Sequence, residues 1–108
     1  MKSEMNEINR WAVPPEDFQY VLFERVNPER NEDRFYYLGF MPALEGLAIV
    51  RVYGRKGEMQ RVLPPLPFDS LEAAWPTLRR CIETRLRRNY TIVQPRRYLS
   101  GEIPQMER

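Results

Sequence analysis

Residues 51–62, RVYGRKGEMQRV, combine a tyrosine, two glycines and four cationic side chains in one predicted turn and its flanks. The glycines allow the backbone to approach a ligand closely, and the Arg-Lys pair between them can neutralise phosphates. The alternative is an ordinary hairpin turn whose charged side chains stand in water. The candidate nucleic-acid-binding residues of this stretch are Arg51, Tyr53, Gly54, Arg55, Lys56 and Arg61.

A second group of arginines lies at the end of a predicted helix. Positive charge in the last turn of a helix interacts favourably with the helix dipole, so a structural role explains part of this group. The side chains leave the helix at several angles, and not all of them can face one ligand. Glu83 lies four residues before Arg87 and can pair with it. We expect a secondary basic surface made of Arg80, Arg87 and Arg88.

The composition offers little to catalysis. The chain has no histidine and a single cysteine, Cys81, so the usual zinc sites, histidine-based general bases and an internal disulfide are excluded. Cys81 falls within an apolar helix stripe with no apparent activating base, and we interpret it as a small buried hydrophobe. Asp69 and Glu72 are assigned to helix capping. The sequence therefore predicts no catalytic residue, metal ion or cofactor, and a protein that is not an enzyme.

The net charge of +2 is distributed unevenly along the chain. Residues 1–50 hold five Lys and Arg against nine Asp and Glu, whereas residues 51–108 hold twelve against six. The basic half is almost entirely arginine, whose planar guanidinium suits phosphate and stacks on aromatic rings. DNA or another nucleic acid is therefore a candidate partner, and a charged face that only keeps the protein soluble is the alternative.

A chain of 108 residues is long enough for one domain with one core. We expect a flexible N-terminal leader over residues 1–17, the domain over residues 18–94 and a tail over residues 95–108. Apolar runs fall far short of the roughly 18 residues of a membrane-spanning helix, and the N-terminus lacks the apolar core of a signal peptide. We expect a soluble, cytoplasmic monomer with no membrane association.

Alternating and aromatic-rich segments predict a sheet. Polar, glycine-containing or proline-containing connections separate these segments, so consecutive strands joined by short turns should form an antiparallel meander. The second segment is apolar at both odd and even positions, which favours a central place in the sheet. The four predicted strands are FQYVLFERV from Phe18, RFYYLGFM, LAIVRVY and EMQRVL.

One long helix is predicted after the prolines of residues 64–67, which should stop the sheet. Asp69 is the expected N-cap, and apolar residues then recur at three- and four-residue steps as far as Tyr90. Asn89 suits the left-handed residue that ends many helices, and residues 91–94, TIVQ, can add a short edge strand. The predicted fold class is α+β, with an antiparallel sheet of four to five strands and one long helix packed on it.

Four segments in order resemble the WGR domain, a small sheet-plus-helix module found in poly(ADP-ribose) polymerases and in short bacterial proteins. These segments are ERVNPERNEDRFYYL, LAIVRVYGRKG, PFDSLEAAW and RLRRNY, and the match is closest in pattern to the bacterial single-domain form. Tyr53 replaces the signature tryptophan, Lys56 replaces a usually aliphatic residue, and Met59-Gln60 lacks the second glycine of the Gly-Gln pair.

The resemblance implies a function and a place for it. In the polymerases the aromatic-Gly-Arg segment lies against DNA near a strand end and takes part in contacts between domains. By resemblance, Tyr53 takes the aromatic position and Arg55 the arginine position. We expect a nucleic-acid-binding module that makes mainly phosphate-backbone contacts through the hairpin. The alternative is a protein–protein interaction module that uses the same hairpin and helix surface.

Overall fold

A computed structural model describes residues 10–99, which form one antiparallel sheet, one long helix and two short 3-10 helices. In chain order the elements are β1 (Tyr20–Asn27), a 3-10 helix (Pro28–Arg30), β2 (Glu32–Ala43), β3 (Gly46–Arg55), β4 (Gln60–Val62), β5 (Leu66–Phe68), α1 (Leu71–Arg87), β6 (Thr91–Gln94) and a 3-10 helix (Arg96–Tyr98). The strand order is β4-β3-β2-β1-β6, with β5 also paired to β3. The α+β fold class is confirmed.

The predicted meander is present as β1 to β4, and β2 lies centrally between β1 and β3. Strand alternation sends Val21, Phe23 and Leu38 to one face, where they are completely buried under α1. The four TIVQ residues form β6, which pairs with β1 at the edge of the sheet as predicted. Within residues 10–99, no helix has the length and apolar character needed to cross a membrane.

The expectation that residues 64–67 stop the sheet is wrong. Leu66–Phe68 forms β5, which pairs with the first half of β3 while β4 pairs with its second half. Pro67 lies opposite Ala48 in this pairing. A proline is tolerated there because an edge strand leaves alternate N–H groups without a partner in the sheet. The sheet therefore has six strands, one more than the predicted four to five.

The sequence indicated Asp69 as the N-cap of α1, but the N-cap in the structure is Ser70. Ser70 is extended (φ −155°, ψ 165°), and its hydroxyl accepts a hydrogen bond from the N–H of Ala73 at 3.1 Å. The helix begins at Leu71, so Asp69 lies one residue too early to reach this N–H. The expected left-handed residue after the helix is confirmed, because Asn89 has φ 68°.

Two segments outside the expected domain boundaries contribute to the core. Trp11 and Tyr98 are 0% and 4% exposed and pack against each other in an aromatic cluster, in which Trp11 also contacts Trp75 and Tyr98 also contacts Phe18. The Trp11 carbonyl accepts a 2.9 Å hydrogen bond from the Trp75 indole N–H. The structure therefore places Trp11 of the predicted leader and Tyr98 of the predicted tail in one hydrophobic core with residues 18–94. The rest of the leader before residue 10 and of the tail after residue 99 lies outside the described residues.

The N-cap assignment predicts the effect of two neighbouring substitutions. Ser70→Ala removes the hydroxyl that accepts from Ala73 and should lower the free energy of unfolding by about 1 kcal/mol. Asp69→Ala should change it by less than about 0.5 kcal/mol, because Asp69 is exposed and does not cap α1. Urea unfolding of both variants measures the difference. A larger loss for Asp69→Ala would mean that the helix begins one residue earlier.

The aromatic cluster predicts that Trp11 is essential to stability. Trp11→Ala removes a fully buried indole and should lower the free energy of unfolding by about 3–5 kcal/mol. Val13→Ala is the control, because Val13 is 68% exposed only two residues away. Equal urea midpoints for the two variants would show that the segment around Trp11 does not belong to the core.

Candidate nucleic-acid interface

The two glycines of the β3–β4 hairpin have different roles. Gly57 lies in the turn with φ +81°, a conformation that favours glycine. Gly54 lies within β3 opposite Phe35 and Gln60, and a Cβ there would stand 3.3 Å from the Met59 carbonyl oxygen. Of the two, only Gly57 is therefore a turn glycine, whereas Gly54 allows the segment around Met59 to approach β3 closely.

Both cations at the hairpin tip have partners. The Lys56 ammonium lies 3.1 Å from a Glu24 carboxylate oxygen and 3.2 Å from one of Asp33. The pKa of Lys56 is raised above its ordinary value, mainly by the hydrogen bond to Glu24 and next by the one to Asp33. The Arg55 guanidinium donates to the backbone and side-chain oxygens of Asn31 at 2.6 and 2.9 Å. The hairpin tip is thus a neutralised surface and not the free cationic patch that the sequence suggested.

The predicted hairpin residues also divide between the two faces of the sheet. Alternation along β3 places Arg51, Tyr53 and Arg55 on the face that carries α1. Lys56 reaches Glu24, which alternates with buried Phe23 and therefore lies on the opposite face. Nη2 of Arg51 donates to the Pro64 carbonyl at 3.2 Å. The six predicted residues do not form one surface.

Three arginines instead form a row across the sheet on the α1 face. Arg34 of β2 lies directly opposite Arg25 of β1 and Arg55 of β3. Like charges at directly opposite positions destabilise a sheet. Arg25 and Arg55 are offset by Glu32 at 3.5 Å and Glu58 at 3.4 Å, but the Arg34 side chain is exposed and makes no hydrogen bond or ion pair with residues 10–99.

An open cavity of about 420 Å³ lies beside this row, between the sheet and the C-terminal end of α1. Four arginines line it, two from the strands and two from the helix end, and no lining residue from the described chain is acidic. The arginines are Arg25, Arg34, Arg85 and Arg88. An arginine-lined cavity without a carboxylate is suited to an anion. Henceforth we call this site the arginine cavity.

Aromatic rings and a backbone carbonyl hold two of these arginines, Arg25 and Arg85, in place. The Arg85 guanidinium lies 4.5 Å from the ring centre of Tyr36 and 5.1 Å from that of Tyr90. Arg25 lies 5.2 Å from the Tyr90 ring and donates to the Arg88 carbonyl at 2.8 Å. Stacking on a ring orients a guanidinium without cancelling its charge. Burial raises the pKa of the Tyr36 phenol, which keeps that ring neutral.

Three tyrosines complete the lining of the arginine cavity with Leu63. Tyr36 and Tyr90 are both 8% exposed, whereas Tyr53 is only half-buried. The Tyr53 ring stacks on Tyr36 with centroids 6.2 Å apart, and Arg61 of β4 lies directly opposite Tyr53. Arg61 is exposed and makes no hydrogen bond or ion pair with the described residues. Tyr53 and Arg61 are thus the predicted hairpin residues that border or line the cavity.

The three arginines of the predicted secondary basic surface also differ in whether they line the arginine cavity. Arg88 lines the arginine cavity. Arg87 lies 3.9 Å from Glu83, which confirms the expected pair, and Glu83 also binds Arg79 at 2.7 Å. Arg80 is exposed and does not line the cavity. Of these three arginines, only Arg88 therefore lines the arginine cavity.

Arg25 and Arg34 are the arginines of this site that sequence reasoning missed. Arg34 could have been found only from its pairing with Arg55, and that strand register depends on where the turn between β2 and β3 lies.

Cys81 is half-buried within α1, and burial raises the pKa of its thiol, which disfavours the reactive thiolate. Within residues 10–99, no three His, Cys, Asp or Glu side chains are placed to hold a metal ion.

A scan against protein families matches residues 19–97 to the WGR domain. The match covers β1 to β6 and therefore includes every strand and residue that borders the arginine cavity. A search of curated proteins and a search of solved structures found no match.

The Lys56 ion pairs predict a pH-dependent stability. Because the folded-state pKa lies above its ordinary value, the contribution of Lys56 is complete below about pH 10 and is lost as the pH rises through the folded pKa. Urea unfolding should show wild type more stable than Lys56→Met at pH 9, with the difference shrinking as the pH rises above about 10. Tyrosine ionisation affects both proteins equally. A difference that does not vary with pH would rule out an ionic contribution.

Proposed function

This chain belongs to the WGR domain family, and from that premise we propose that it binds nucleic acid through the face that carries the arginine cavity. WGR domains are binding modules and not catalytic domains. The observation that supports the proposal is a cavity lined by four arginines and three tyrosines, none of them opposed by an acidic lining residue from the described chain. DNA is the first nucleic acid to test.

The binding mode is mainly contact with the phosphate backbone. Arg34 and Arg88 offer guanidinium groups that make no ion pair with the described residues, and Arg61 adds a third at the border of the cavity. Guanidinium groups bind phosphate oxygens with two parallel hydrogen bonds. Each phosphate neutralised releases counterions, so affinity should fall with salt.

The hairpin cations take different roles in this proposal. A phosphate at Lys56 must compete with Glu24 and Asp33, and one at Arg55 must compete with Glu58. Arg51 acts as a positioning residue. It holds the Pro64 carbonyl, and its own carbonyl accepts from the N–H of Leu63, so that it fixes the segment that borders the cavity.

A protein-interaction role remains the second candidate. Met59 and Val62 are 90% and 67% exposed at the hairpin, beside the neutralised cations Arg55 and Lys56. Exposed apolar side chains next to paired charges are suited to a protein surface more than to a polyanion. This candidate uses the hairpin tip, whereas nucleic-acid binding uses the arginine cavity.

Matched arginine substitutions test the proposal. Arg34→Ala should weaken binding to a labelled duplex or single strand and reduce the slope of log affinity against log salt by about 1. Arg80→Ala removes the same charge from an exposed helix position outside the cavity, and should change the affinity little. Fluorescence anisotropy from low to moderate salt measures both.

Two outcomes would contradict the proposal. If no duplex or single strand binds at low salt, the protein-interaction role replaces it. If Arg34→Ala and Arg80→Ala weaken binding equally, the interaction depends on overall charge and not on the arginine cavity. Circular dichroism establishes that both variants are folded before their affinities are compared.

A further inference from the structure

The size of the arginine cavity limits what can enter it. Its volume of about 420 Å³ is that of a site for a small molecule or a single nucleotide. A base that remains stacked in a duplex presents only its edges in the grooves, and a protein reaches its faces only after the base has left the stack. A nucleotide that fills this cavity must therefore be unpaired.

The tyrosine lining is suited to the face of a base. Tyr36 and Tyr90 are nearly buried and carry the Arg85 guanidinium, so the accessible aromatic surface belongs to Tyr53. Aromatic rings and arginine planes are the groups on which single-stranded bases stack in proteins. Phosphate contacts with a duplex backbone do not by themselves require an aromatic ring at this position.

The charge around Tyr53 is suited to the phosphate of the same nucleotide. Arg34 lies opposite two other arginines, and the described residues provide no carboxylate to relieve that repulsion at Arg34. Arg88 lines the same cavity from the end of α1. A phosphate between them would relieve the repulsion while a base occupies the space beside Tyr53.

We propose that the arginine cavity takes one unpaired nucleotide, so that the preferred ligand is single-stranded nucleic acid rather than a duplex. This inference rests on the proposed function, because it assigns a ligand class to the same site. Tyr53 supplies the stacking surface, and Arg34 and Arg88 hold the adjoining phosphate. The shared chemistry of base and phosphate also occurs in a free mononucleotide, which the experiment separates from a strand.

The test compares a labelled 12-nucleotide single strand, its blunt duplex and an unlabelled mononucleotide at the same salt concentration. The single strand should bind at least about tenfold more tightly than the duplex, since each stacked base contributes a factor of that order or more. Tyr53→Leu retains an apolar contact with Tyr36 but removes the aromatic ring. It should lower single-strand affinity by about tenfold and change duplex affinity by less than about twofold.

Tyr20→Leu is the matched control. Tyr20 stacks on Tyr37 on the opposite face of the sheet, so its loss should leave both affinities unchanged. If Tyr53→Leu does not fold, Arg34→Gln at an exposed position provides the second variant, and it should reduce single-strand affinity more than duplex affinity.

Different failures identify different errors. Equal or tighter binding of the blunt duplex, with Arg34 still required, would overturn the single-strand inference and leave the proposed function standing. The absence of binding to either form would overturn both. Displacement of the strand by a mononucleotide at concentrations near the strand dissociation constant would overturn the strand as the ligand and assign the cavity to a free nucleotide.

Discussion

The contact between Arg25 and the end of α1 determines the geometry of the candidate site. The guanidinium of this strand residue donates at 2.8 Å to the Arg88 carbonyl, one of the carbonyls that a helix end leaves without an internal partner. Asn89 then turns in the left-handed conformation, and the Tyr90 N–H returns to the Arg85 carbonyl at 3.0 Å. The same bonds that end the helix therefore place Arg85, Arg88 and Tyr90 beside the sheet.

Acidic side chains decide which of the many arginines remain available. The carboxylates of the first half of the chain are not spread evenly over the basic half, because Glu24 and Asp33 bind Lys56, and Glu32 binds Arg25. Of these carboxylates, only Glu32 reaches a residue of the arginine cavity, Arg25, and no described carboxylate pairs with Arg34, Arg85 or Arg88. The net charge of +2 thus conceals a neutralised hairpin tip and a separate cationic cavity on the α1 face of the sheet.

Local patterns in the sequence predicted most of the fold but only part of the site. The alternation of apolar residues along strands and their three- and four-residue spacing along a helix depend only on residues close in sequence. These patterns predicted β1 to β4, α1 and β6. The core positions of Trp11 and Tyr98 depend on contacts distant in sequence, which no local pattern reveals. Tyr53, Arg61 and Arg88 were found by residue type. Arg34 was missed and Lys56 was taken as free because both depend on strand register.

By resemblance Tyr53 stands at the position of the family's signature tryptophan, and this has a consequence for the shape of the cavity. A tyrosine ring is smaller than an indole, so the cavity is more open than it would be with tryptophan on the same backbone. Tyr53 still packs on Tyr36 through one side, which fixes the orientation of its ring, and it remains only half-buried. Tyr53 therefore presents an oriented aromatic surface and leaves more room among the arginines than an indole would, which is compatible with the proposed nucleotide site.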